Sequence, residues 1–443
     1  MSRIFLKSVL VMIISNFTTI FCYVINDFAA ARFLSTEELA SYGVASPVLF
    51  LLLAVGDLMA TGNQALVAKK LASGDSEGAR HTYSNIVTWI MVLSLAGMSF
   101  LFLLRHQVAS FLGASGENLF LQNHTVSSLS GLIPGIPAMI LAIVLSPVMY
   151  LERQNWRIYT SVAALVLVQC AGIWFSVAVC GGGLLGLSLA LSAGFFASVA
   201  VLLLPIKKRS VIFSGFSLSL RPFVSAVRIG LPMALVDIYF SVTTVVLNHV
   251  LLHVSGYIAV ASYSVVSGLN EFLGIIIYGM GMATVTHTAL AIGKGDKEQI
   301  VSLMRTVFTF GLIVSVIEAL VAFTAAYPLV RFFMEEESIA VHMEAVNCLR
   351  CYCFALPLLM LVEIYVSYFE ASDKIIMAHI LVLLDELVTI SLTAVVLALV
   401  FGVAGVWMSF AVTEVIDLAF LYLCSWHYCG HRPRNLKDIL FLV

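Results

Sequence analysis

The chain has 443 residues, of which 61% are hydrophobic and 11% charged, with a formal net charge of −2. A soluble domain carries about 45–50% apolar and about 25% charged residues, so these proportions exclude a large soluble protein. The near-zero net charge leaves no electrostatic footprint for nucleic acid.

In chain order, stretches long enough to cross about 30 Å of hydrocarbon follow one another throughout. Twelve are expected, at roughly 6–32, 43–68, 84–104, 124–150, 158–180, 184–205, 229–253, 257–290, 303–329, 343–369, 375–401 and 403–425. The first lacks a short apolar core with a small-residue cleavage site, so it reads as a retained helix. The second closes on Gly74-Asp75-Ser76-Glu77 and the eighth on Gly295-Asp296-Lys297-Glu298. In each, glycine ends one helix and aspartate caps the next. The fourth span holds Pro134, Pro137 and Pro147, and the tenth holds Pro357. Such prolines free backbone carbonyls and bend the rod, either beside a cavity or simply to fit the bundle. Between the sixth and seventh spans lie Lys207-Lys208-Arg209 and a Ser-rich run to Arg221-Pro222. The other loops are short, which leaves no room for a soluble catalytic domain.

The sequence is written twice. Ala40-Ser41-Tyr42 recurs as Ala261-Ser262-Tyr263 and Gly74-Asp75 as Gly295-Asp296, both 221 residues apart. Tyr150-x-Glu152 answers Tyr368-x-Glu370, and Gly183-x-x-Gly186 answers Gly402-x-x-Gly405. The expected division is a bundle at 1–205, a cytoplasmic linker at 206–228, a second bundle at 229–428 and a cytoplasmic tail at 429–443. Lys and Arg fall 19 to 3 between the two sides of the membrane, with Arg350 near or within a span. That asymmetry places both termini in the cytoplasm. An even number of spans per copy makes the copies parallel repeats about the membrane normal. The fold class expected is therefore an all-α polytopic membrane protein, with twelve helices in two six-helix bundles.

An ionisable group at bilayer depth costs about 2.5–3.5 kcal/mol on insertion scales, so such groups are functional suspects. Copy one has Asp27 and Asp57. Copy two has Asp237, Glu271, Glu318, Glu363, Asp385, Glu386, Glu414 and Asp417, while Arg350 and His287 are the cations at comparable depth. These acids cannot all be salt-bridged within the membrane, which suits a proton- or sodium-coupled carrier of cationic solutes. Asp385 and Glu386 are adjacent, so at most one is expected to face a cavity. Glu414 and Asp417 share a face near the cytoplasmic end, where hydration is the expected explanation. His249 and His253 read as interfacial. Cys348, Cys351 and Cys353 read as apolar packing rather than a zinc site. No metal and no cofactor is expected. Gly181-x-Gly183-x-x-Gly186 matches a dinucleotide fingerprint formally, but it lies between membrane helices without a βαβ unit. No P-loop, H-E-x-x-H or G-x-S-x-G occurs, so no catalytic residue is assigned and ATP-driven transport is not expected.

Several stretches resemble the multidrug and toxic compound extrusion (MATE) family. Asn26-Asp27, Thr36-Glu37-Glu38-Leu39-Ala40-Ser41-Tyr42-Gly43, Pro47, Gly62 and Gly74-Asp75 are similar to its first two helices. Gly230-Leu231-Pro232, Gly279-Met280-Gly281, Gly293-Lys294-Gly295-Asp296 and Phe369-Glu370-Ala371 extend the likeness over nearly the whole chain. The resemblance implies two six-helix bundles enclosing a V-shaped cavity, and export of organic cations or amphipathic compounds in exchange for H+ or Na+. Asp27 falls on the coupling aspartate of one branch. The helix-five Asn and Asp and the helix-six Thr of that branch's cation site correspond to Gln169, Ile173 and Leu191. In another branch the helix-seven Glu and helix-ten Asp fall on Phe240 and Leu359, with Asp237 and Glu363 one turn away on the same faces.

The expected function is secondary export of amphipathic or cationic organic compounds by antiport with H+ or Na+. Asp27 and Gln169 are the expected cation-coupling residues, and Asp57, Asp237, Glu318 and Glu363 the substrate-binding ones. The expected partners are a small organic substrate, H+ or Na+ and the lipid bilayer of the inner (plasma) membrane, with the chain a monomer. The alternatives are a flippase for a lipid-linked saccharide, for which Arg350 is the one candidate pyrophosphate ligand, and a transporter-like protein that has lost coupling. The acids are not duplicated: Asn248 stands 221 residues after Asp27. The repeat thus specifies a scaffold, and function is expected where the copies differ.

Overall fold

A computed structural model of the chain describes residues 9, 24–114, 118–152, 154–204, 215–293, 297–334, 339–372 and 374–441. Most of the expected first span lies outside these residues. So do Arg3, Lys7, Cys22, Arg153, Lys207, Lys208, Arg209 and Lys294-Gly295-Asp296. Among the described residues every regular element is helical and no strand occurs.

The helices are α1 (24–33), α2 (Thr36–Ala72), α3 (Ser76–Phe111), α4 (Leu119–Leu132), α5 (Ile136–Leu151), α6 (Asn155–Ile173), α7 (Gly183–Leu203) and α8 (Leu220–Ser255). They continue as α9 (Tyr257–Gly293), α10 (Lys297–Thr324), α11 (Ala326–Phe333), α12 (Ile339–Ala371), α13 (Ile375–Leu383), α14 (Ile390–Phe401), α15 (Val403–Cys429) and α16 (Leu436–Ile439). Among the described residues eleven helical stretches are long and apolar enough to cross a membrane. All-helical spans follow from the solvent, since no water in the hydrocarbon satisfies an open backbone group.

Local chemistry explains the ends. Ser35 caps α2 in a capping box with Glu38, whose amide donates to Ser35 Oγ at 3.3 Å. Gly74, at φ +80°, ends the link from α2, and Asp75 Oδ1 accepts from the Gly78 amide at 2.8 Å to open α3. The fourth span is broken by a 3-10 turn at Ile133–Gly135, which holds Pro134. The span nevertheless continues as one stretch, Leu119–Met149, and accommodates Pro147 inside α5.

The helices form two compact units, Ala29–Asn248 and Met1–Phe28 with His249–Val443. This grouping differs from the division by repeat. The start of α1, 24–28, belongs with copy two, and most of α8 belongs with copy one. In the Ala29–Asn248 unit, α4 and the 3-10 turn meet α7 through small residues. Ser192 Oγ donates to the Gly131 carbonyl at 2.8 Å, and a Cβ on Gly135 would sit 2.4 Å from that same Oγ. Membrane helices associate by such close packing because lipid tails are as apolar as leucine. In the other unit Met280, Met304, Leu356, Tyr368 and Phe369 form the buried centre.

The duplication is visible bond by bond. Ser41 Oγ donates to Glu37 O at 2.8 Å and lies 3.4 Å from Leu121 O. Its counterpart Ser262 donates to Ile258 O at 2.8 Å and lies 3.1 Å from Val341 O. A small hydroxyl ties the second helix to the fourth in each copy.

The tail after α15 docks on its own unit. Tyr368 Oη donates to Leu440 O, and Lys374 Nζ donates to Leu440 O and Phe441 O, all at 2.9 Å. The ammonium also lies over the rings of Tyr368, Phe369 and Phe441. Burial pulls Lys374 down from 10.5 to about 8. A lysine whose folded value is depressed favours the docked state as pH rises from about 8 toward 10.5, because the undocked group still binds the proton there. Tail amides, read by hydrogen exchange corrected for intrinsic rates, are therefore expected to gain protection across that window. Lys374→Met should remove the dependence; protection that falls with pH in the unmodified protein contradicts it.

Candidate functional site

Asp27 is half-buried on α1, next to the buried Asn26. It faces α9 at Gly268, where an added Cβ would lie 2.7 Å from Asp27 Cβ and 3.2 Å from its Oδ2. Glu271, one turn further along α9, lies close enough to interact electrostatically with Asp27. Two carboxylates so placed repel, and a proton or small cation relieves the repulsion. The bare Gly268 lets the aspartate approach. Gly268→Val adds a branched side chain where none fits, and overpacking costs about 1–3 kcal/mol. The variant is expected to melt at a lower temperature than Gly268→Ala and to lose coupled transport first. Equal melting and equal transport in the two variants would show that the contact is not needed.

A second acid pair lies in the Ala29–Asn248 unit. Asp57 of α2 and Asp237 of α8 lie close enough for their carboxyls to interact. Two ionised carboxylates so placed repel, and one proton between them relieves the repulsion. The two helices meet through bare backbone: an added Cβ would lie 1.8 Å from Leu58 O at Gly230, and 2.2 Å from Ala226 O at Gly62. Phe240, the position of the branch glutamate, packs edge-on against Phe50 at 4.6 Å.

Glu363 of α12 accepts from Ser367 Oγ at 3.3 Å. Its Oε1 fills the notch left by Gly281 of α9, 2.2 Å from where a Cβ would stand. Glu318 of α10 is half-buried, and its Oε2 is enclosed without a hydrogen-bond partner among the described residues. It faces Cys353 and Tyr352 of α12 electrostatically.

The structure brings together Asp57 with Asp237, and Asp27 with Glu271, which sequence reasoning had named only as an intramembrane acid. Gln169 is fully buried on α6 and packs beside Gly194 of α7. It lies in the Ala29–Asn248 unit, whereas Asp27 lies in the other. Ile173 and Leu191 are likewise buried, which makes this region a packed α6–α7 seam. Arg350 is exposed, with its guanidinium 5.5 Å from the Phe323 ring centroid.

One expectation changes. Glu414 and Asp417 were expected in water at a span end; they are 5% and 0% exposed. Asp385 and Glu386 occupy a π turn, Leu384–Thr389, and interact electrostatically with acids of different helices, Asp385 with Glu414 of α15 and Glu386 with Glu363 of α12. The i, i+3 spacing of Glu414 and Asp417 was the available signal, but nothing in it tells a buried face from a wet one.

The family model MatE matches residues 12–176 and 232–395, one stretch in each copy of the repeat. Among solved structures, an inward-facing multidrug resistance MATE family transporter of the MOP superfamily is 18% identical, with 91% of this chain and 93% of that chain covered and a TM-score of 0.83. An outward-facing structure of such a transporter is 18% identical, covering 94% and 93%, with a TM-score of 0.69. A MOP superfamily transporter from Pyrococcus furiosus is 17% identical, covering 94% and 93% with a TM-score of 0.69; its binding pocket of reverse polarity is taken to suggest a different function. At such identities the likeness shows the fold: all-α, in two six-helix halves. No curated protein matches the chain.

Proposed function

Because the chain belongs to the MATE family, and so is a multi-pass membrane transporter of the MOP superfamily, we propose that it exports amphipathic or cationic organic compounds by antiport with H+. The observation that carries this reading is the apposition of Asp27 and Glu271 on neighbouring helices. Such a pair binds a cation when loaded and repels itself when empty, which is what exchange requires. H+ is favoured over Na+ because Ile173 and Leu191 stand where one family branch has polar ligands, and both are buried and apolar.

Asp57–Asp237, Glu318 and Glu363 supply acidic groups for a cationic substrate. An organic cation replaces the proton shared by Asp57 and Asp237 without leaving a net charge unbalanced. Entry of a cation down the membrane potential yields about 2.3 kcal/mol per 100 mV per charge, which can drive export of a neutral solute by alternating access; a cationic substrate offsets part of it, and the pH gradient then supplies the drive. The excess of basic residues on one side supports cytoplasmic termini in the inner membrane, and the inward ion gradient sets the direction of pumping.

The test uses the full-length protein in proteoliposomes with a fluorescent organic cation. Imposed pH and Na+ gradients are compared. Accumulation driven by the pH gradient supports the reading. Accumulation only with Na+ replaces H+ by Na+, and none under either gradient sinks the antiport reading.

A further inference from the structure

The span made of α13, the π turn Leu384–Thr389 and α14 carries acids that the antiport reading leaves unused. π turns wind an extra residue into a helix and often mark functional positions. In copy one the π turn Trp174–Val179 ends four residues before Gly183; in copy two it ends thirteen before Gly402. The two turns are therefore not equivalent under the repeat, and only the second holds acids.

Asp385, in that turn, lies close enough to Glu414 of α15 to interact with it electrostatically. One turn along α15, Asp417 Oδ1 accepts from Thr389 Oγ1 at 2.9 Å. Beside them the Thr393 and Thr413 hydroxyls meet at 2.9 Å. Glu414 is 5% exposed and Asp417 0%. Their remaining oxygens, Glu414 Oε2 and Asp417 Oδ2, are enclosed with no hydrogen-bond partner among the described residues. No described Lys, Arg or His pairs with Asp385, Glu414 or Asp417. The titratable groups facing them are Glu363 and Tyr352 of α12, Tyr278 of α9 and Glu386 of the same turn. Those are carboxyls and phenols, so no neighbour supplies positive charge.

Ionised together, Asp385 and Glu414 would repel each other with no cation beside them, and a bound proton relieves that repulsion. The enclosed oxygens on Glu414 and Asp417 point the same way, because a buried oxygen with no donor is tolerated far better on a neutral carboxyl than on an anion. We propose that Asp385 and Glu414, flanked by Asp417, form a proton-binding site in copy two, separate from Asp27. Counting back by the offset of the glycine motifs, copy one holds Val166, Phe195 and Ser198 at the matching positions. The site is thus built on one copy only. It binds H+ whatever organic compound the protein moves.

The test reads the proton directly. The purified full-length protein in lipid is examined by infrared spectroscopy, where a protonated carboxyl shows a carbonyl stretch clear of the amide bands. The difference between unmodified protein and Glu414→Gln at neutral pH is expected to show the loss of one such band. Asp385→Asn should give the same loss. In both variants the new amide donates to the remaining carboxylate, which keeps the shape. A second measurement needs no variant. A hydrophobic carbodiimide, which reacts with protonated buried carboxyls, should modify the peptides carrying Asp385 or Glu414. An unchanged band in both variants, or no adduct on either peptide, overturns the site. Failure of gradient-driven transport with the band intact would sink the antiport reading and leave this site standing.

Discussion

Asp27→Asn is expected to abolish gradient-driven transport while leaving the protein folded and inserted. The loss should be at least about tenfold, which corresponds to about 1.4 kcal/mol of coupling free energy. The argument has a steric and an electrostatic part. Asparagine has the shape of aspartate, so the approach to Gly268 is undisturbed. The repeat supplies a precedent: Asn248 stands at the matching position, fully buried, with Nδ2 donating to Gly43 O at 2.9 Å. An amide is therefore tolerated at this point of the helix. What the amide removes is a carboxylate that can take up and release a proton beside Glu271. With one acid gone, the repulsion that empties the pair is gone as well. The check is accumulation of the fluorescent cation under a pH gradient, with melting temperature as the control for folding. Full accumulation by the variant would place the coupling elsewhere in the protein.

Gly230→Leu is expected to have the largest effect on stability. A Cβ there would lie 1.8 Å from the carbonyl oxygen of Leu58, which is backbone and cannot rotate away. The whole of α8 must then retreat from α2. Overpacking of a side-chain core costs about 1–3 kcal/mol, and a clash with backbone falls at or beyond the top of that range. Gly62→Leu should behave alike, since its Cβ would meet Ala226 O at 2.2 Å. Gly97→Leu is the control, because no atom lies within 4 Å of its Cβ position. Monodisperse yield in detergent and the thermal midpoint should collapse for the first two and stay near the original for the third. A normal midpoint for Gly230→Leu would contradict the close crossing, and with it the Asp57–Asp237 contact that the crossing creates.

The acids show how much of the site was legible. Asp27 stood out by its depth and its missing counterpart, and Asp57 and Asp237 stood out by depth alone. Glu271 carried no signal that tied it to Asp27. Glu414 and Asp417 read as hydrated because an acidic i, i+3 pair near a span end has the same sequence pattern whether its face meets water or another helix. The π turn that carries Asp385 and Glu386 left no mark in hydropathy.

By itself the sequence determined the helical spans, their caps and the two-copy scaffold. These are local properties: hydrocarbon requires each backbone group to be satisfied within its own helix, and caps act over a single turn. Only the tertiary structure decided which carboxyls meet. Asp27 and Glu271, Asp57 and Asp237, and Asp385 and Glu414 come from different spans. Their contacts depend on where helices lie close enough to touch, as at Gly268, Gly62 and Gly230. That closeness is set by the fit of whole helix faces, and no single stretch of sequence records the face that lies opposite.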